Sequence, residues 1–123
     1  MAIANNLASL LSAFRDDPET LERAAAVARR LRDTDVPAFQ DTYGWIAYRQ
    51  GDFEEAVAYL EPAAAGLPTD PLVQFHLGMT YVALERKEEA IAAMTRALEI
   101  AGDDSVLPQM DIARDTLKTL QSE

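Results

Sequence analysis

The residues able to do chemistry in this chain are few and scattered. There is one histidine, His76, and no cysteine. Nucleophilic thiolates, disulfides and cysteine-based metal sites are therefore excluded. His76 lies between Phe75 and Leu77 with no second histidine to share a metal, so it reads as a helix-surface or hydrogen-bonded structural histidine. Asp16-Asp17 and Asp103-Asp104 are paired carboxylates, but both pairs fall at expected helix boundaries, where acids serve as caps. Arg23, Arg29, Arg30 and Arg32 cluster on one stretch, neutralised by Glu19, Glu22, Asp33 and Asp35. The five glycines form no phosphate-cradling loop. Nothing here assembles a nucleophile, a base and a metal or oxyanion site, and the expectation is a protein that is not an enzyme and carries no cofactor.

The remaining candidates are large side chains at helical spacing: Trp45 and Tyr48 in one stretch, and Phe75, Met79 and Val82 in another. Aromatic residues and Met dominate binding hot spots. What positions them is a repeat. Residues 37–70 laid over 71–104 give nine identities without a gap: Pro37/Pro71, Gln40/Gln74, Gly44/Gly78, Glu54/Glu88, Glu55/Glu89, Ala56/Ala90, Ala58/Ala92, Ala63/Ala97 and Asp70/Asp104. A period of this length means stacked helical or strand units. Ala and Leu outnumber β-branched residues, which selects helices.

Each unit is expected to form two helices. The first helices run over about 37–50 and 71–84, opened by Pro37 and Pro71. The second run over about 53–66 and 87–101, each starting near two glutamates at the positive end of the helix dipole. Gly51-Asp52 makes one turn and Glu85-Arg86 the other. Pro62 falls inside a second helix and predicts a bend near 58–62. Residues 1–36 read as a degenerate first unit, and 105–123 as a capping helix with a stripe of Ile112, Ala113, Thr116, Leu117 and Leu120. The expected architecture is one all-α domain of about seven helices, an α-solenoid of antiparallel pairs.

The spacing resembles the tetratricopeptide repeat family, whose pattern is W-x2-L-G-x2-Y, A-x3-F and P. Leu77, Gly78, Tyr81, Ala90 and Met94 occupy it in one unit; Tyr43, Gly44, Ala56, Leu60 and Pro68 occupy it in the other. Gln40 and Gln74 stand where the pattern has Trp, Ala47 replaces its Tyr in one unit, and Gly102 replaces its Pro in the other. A weaker resemblance, over about 37–101, is to the last repeats of long bacterial members. The resemblance implies a concave groove lined by first helices. Asp41, Trp45, Tyr48 and Arg49 would face it from one unit and Leu72, Phe75, Met79 and Val82 from the next; Ala38, Ala83, Asn5, Ser9, Ser12 and Ala13 complete the set. The groove positions hold almost no Lys or Arg, so the family's clamp for a terminal carboxylate is not expected.

Charge narrows the partner. The chain carries −10, with −5 over residues 37–70. Nucleic acid is excluded as a partner for want of a basic face. No run reaches the length of a membrane span. The expected function is a protein-interaction module taking an apolar or basic-amphipathic segment, or alternatively a structural domain that self-associates as a homodimer or ends a longer array. A cytoplasmic location is the simplest expectation, a periplasmic one if the chain belongs to a longer exported protein.

Overall fold

The computed structural model describes residues 34–102 and 105–122. The expected degenerate unit, with its arginine cluster and Asn5, Ser9, Ser12 and Ala13, lies outside the described residues almost entirely, as do both Asp-Asp pairs. Five α-helices are described: α1 (Pro37–Arg49), α2 (Phe53–Gly66), α3 (Pro71–Ala83), α4 (Lys87–Ala101) and α5 (Pro108–Ser122). No strand occurs among the described residues. The chain divides into two compact units, residues 1–66 and 67–123.

In the first unit α1 packs antiparallel on α2. Pro37 opens α1 without a side-chain cap, since Val36 occupies the N-cap. The crossing is close because Gly44 has no side chain. A Cβ there would sit 2.7 Å from Leu60 Cγ and 3.1 Å from the Ala56 carbonyl oxygen. Ala56 and Leu60 are fully buried, with Tyr43, Ile46, Ala47, Val57, Ala63 and Ala64 around them. The helix α2 is continuous through Pro62. Both Pro62 and Ala58, whose carbonyl loses its partner, lie on the exposed side, where water replaces the missing N–H.

The second unit repeats this pairing and adds a helix. Helix α3 packs on α4, and α5 covers α4 and touches α3. Asp70 caps α3 by accepting from the Leu72 and Val73 amides at 3.0 and 3.4 Å. Gly78 meets Met94, whose Sδ and Cε would both lie 3.1 Å from an added Cβ. Met94, Ala90 and Ala97 are fully buried, and Tyr81 nearly so. On α5 the covering side chains are Met110, Ala113 and Leu120. The expected stripe missed Met110, which is fully buried, and included Ile112, which is 48% exposed. A helix that packs only at one edge buries a narrower arc than a stripe drawn from apolar residues alone.

The two interhelix turns have the same backbone. In the first, the Asp52 amide donates to Ala47 O and the Gly51 amide to Tyr48 O, both at 2.9 Å. In the second, Arg86 donates to Tyr81 O at 2.9 Å and Glu85 to Val82 O at 3.0 Å. This is the two-bond helix ending that needs a left-handed residue. Gly51 supplies it at φ +87°, and Glu85 is forced into it at φ +58°.

Candidate interaction surface

On α1 the expected site residues Trp45 and Tyr48 come together. They are one turn apart, and their rings stack with centroids 4.5 Å apart and planes 6° from parallel. Tyr48 also meets Phe53 at the start of α2, with centroids 5.4 Å apart and a tilt of 58°. Phe53 belongs to this row although the helical spacing of α1 does not select it. The Gly51-Asp52 turn returns the chain beside the end of α1 and delivers the third ring. All three side chains are half-buried. Burial raises the Tyr48 phenol above its ordinary range, because desolvation penalises the phenolate. The same cause lowers the Arg49 guanidinium.

Carboxylates stand at both ends of the row. Asp41 is one turn before Trp45 on α1, half-buried, and Asp52 and Glu54 bracket Phe53 and are exposed. Residues 37–66 hold five carboxylates and one guanidinium, Arg49, for a net −4. A second aromatic contact, Tyr43 with Tyr59 at 4.3 Å, belongs to the α1–α2 packing, where the Tyr43 hydroxyl donates to Glu55 Oε1 at 3.2 Å.

On α3, Leu72, Met79 and Val82 are half-buried, whereas Phe75 is only 4% exposed. What α3 offers to solvent at the expected positions is therefore aliphatic and thioether surface, with Phe75 beneath. Leu72 also lines a recess of about 410 Å³ with Leu67, Thr69, Asp70, Pro71 and Leu107. His76 is half-buried beside Phe75, their rings 6.1 Å apart. No group of three or more metal-ligating side chains exists among the described residues. No described helix is long and apolar enough to cross a membrane.

Two antiparallel helix pairs begin 34 residues apart, at 37 and 71 for the first helices and at 53 and 87 for the second. Each has a glycine at its crossing. The family model for the tetratricopeptide repeat matches residues 47–107. The chain belongs to the tetratricopeptide repeat family. It is also similar in fold to a solved structure, that of PcrH in complex with the chaperone binding region of PopD. That likeness has a TM-score of 0.72 at 16% identity and covers 94% of this chain and 89% of that one. No curated sequence relative matches the chain. As a tetratricopeptide repeat chain with helical repeats of this form, it is built as a protein-interaction module.

Proposed function

We propose that the chain holds polypeptide segments against its first helices, with Asp41, Trp45, Tyr48 and Arg49 contributing on α1 and Leu72, Met79 and Val82, backed by Phe75, on α3. The observation that carries this is the half-buried row of Trp45, Tyr48 and Phe53. Large rings held partly open to solvent, in a fixed geometry, lose little entropy on binding and offer area to an apolar partner face. The α3 face supports the same reading with flexible Met79 and branched Leu72 and Val82, which adapt to varied side chains. An apolar or basic-amphipathic segment suits both faces. The similarity to a structure in which PcrH holds a region of PopD is in keeping with a bound segment.

The test is selection of peptide ligands from a random library on the wild-type chain, followed by affinity measurement on Trp45→Ala. A contribution of about 2 kcal/mol from a hot-spot ring corresponds to roughly 30-fold weaker binding. Selected peptides that bind Trp45→Ala and Met79→Ala as tightly as wild type would show that neither face is used.

A further inference from the structure

The charges around the aromatic row select among the partners just described, and the inference rests on that binding reading. We infer that the α1–α2 unit takes a cationic amphipathic helix, whose apolar face covers Trp45, Tyr48 and Phe53 and whose Lys or Arg side chains pair with carboxylates at the two ends of the row. Three features converge. The rings are half-buried and form a continuous row, with centroid steps of 4.5 and 5.4 Å. Asp41 lies at one end, and exposed Asp52 and Glu54 at the other. The unit's helix pair balances those acids with a single cation.

An anionic segment laid on the same rings would set its carboxylates against Asp52 and Glu54, and a neutral one would leave them without a partner. Cations near ring faces gain a further attraction from the aromatic quadrupole. From Asp41 to the end of α1 at Arg49 is about 12 Å of helical rise, so a partner helix of two to three turns spans the row. Long-range attraction by the acidic face would also speed encounter, in a manner that salt suppresses.

Trp45 is the only tryptophan, so its fluorescence reports this row without a label. The experiment titrates the whole chain with a Leu/Lys amphipathic peptide of about 18 residues and with its Leu/Glu counterpart, at about 0.05 and 0.5 M salt. The Leu/Lys peptide should shift Trp45 emission and bind at least about 10-fold more weakly at the higher salt, and the Leu/Glu peptide should not bind. The double variant Asp52→Asn/Glu54→Gln should weaken Leu/Lys binding about 10-fold, with Asn keeping the capping ability of Asp. The variant Glu88→Gln/Glu99→Gln makes the same charge change on exposed positions of α4 and should leave affinity unchanged; circular dichroism confirms that both fold. Equal binding of the two peptides without salt dependence, or equal losses from the two double variants, overturns the cationic inference and leaves the binding face standing. If neither peptide perturbs Trp45 emission, both the cationic inference and the binding face are overturned.

Discussion

Two glycines in this chain do different work, and substitution separates them. Gly44 leaves room for Leu60 and the Ala56 carbonyl at the α1–α2 crossing. Gly44→Ala should cost about 1–3 kcal/mol, because the clash includes backbone that cannot rotate away. Gly51 has nothing within 4 Å of an added Cβ and matters only for its positive φ. Gly51→Ala should cost about 1 kcal/mol. Glu85 holds the corresponding place in the second turn at φ +58°, so Glu85→Gly should be neutral or raise stability by up to about 1 kcal/mol. Urea midpoints of the three variants check the order. Gln74 is 9% exposed and its side chain makes no hydrogen bond among the described residues. Its counterpart Gln40 donates to Thr34 O at 3.2 Å. In the second unit the equivalent carbonyl, Pro68 O, instead accepts from Arg96 at 3.3 Å. Gln74→Met should therefore be neutral or stabilising by about 1 kcal/mol, since an unpaired buried amide carries a desolvation penalty.

At the level of the element, helix ends and the last helix carry the consequences. Asp70 caps α3 through two amides, and Asp70→Ala should cost about 1 kcal/mol. The helix α1 has Val36 at that position with no side-chain cap, so Val36→Ser should gain about 0.5–1 kcal/mol. On α5, Met110→Ala should cost about 2–4 kcal/mol through the cavity it leaves, whereas Ile112→Lys should change stability by less than about 0.5 kcal/mol. Thermal melts of the pair decide which edge of α5 is the covering one. The first-helix and second-helix boundaries were legible in the sequence, to within a residue at each end, because proline, paired glutamates and turn residues mark them. The α5 face was legible in part: Ala113 and Leu120 are buried and Thr116 and Leu117 half-buried, but Met110 precedes the expected stripe and Ile112, which belongs to it, is exposed.

At the scale of the whole molecule, charge and ionisation are the observables. The Tyr48 phenol is raised above its ordinary value by burial, so the folded state favours the neutral form. That preference contributes fully below the unfolded value of about 10 and is lost as pH rises through the higher folded value. In a tyrosinate absorbance titration, the difference between wild type and Tyr48→Phe should therefore be a step that ionises above the ordinary tyrosine value. A net charge of −10 should keep the chain from binding duplex DNA at physiological salt, which a mobility-shift assay tests.

The amino-acid sequence by itself determined the 34-residue period, the helical character of each unit and the small residues at the crossings. These follow from local preferences and from sterics that act the same way in any copy of the repeat. Helical spacing also placed Trp45 and Tyr48 on one face of α1. The tertiary structure decided the rest of the surface. It brought Phe53 onto Tyr48 through a turn, something no single-helix periodicity encodes. It buried Phe75 while leaving Leu72, Met79 and Val82 half-open, because exposure depends on which neighbours cover a face and not on the face alone. It also left Gln74 without the carbonyl that its counterpart uses, because Arg96 reaches that carbonyl from another helix.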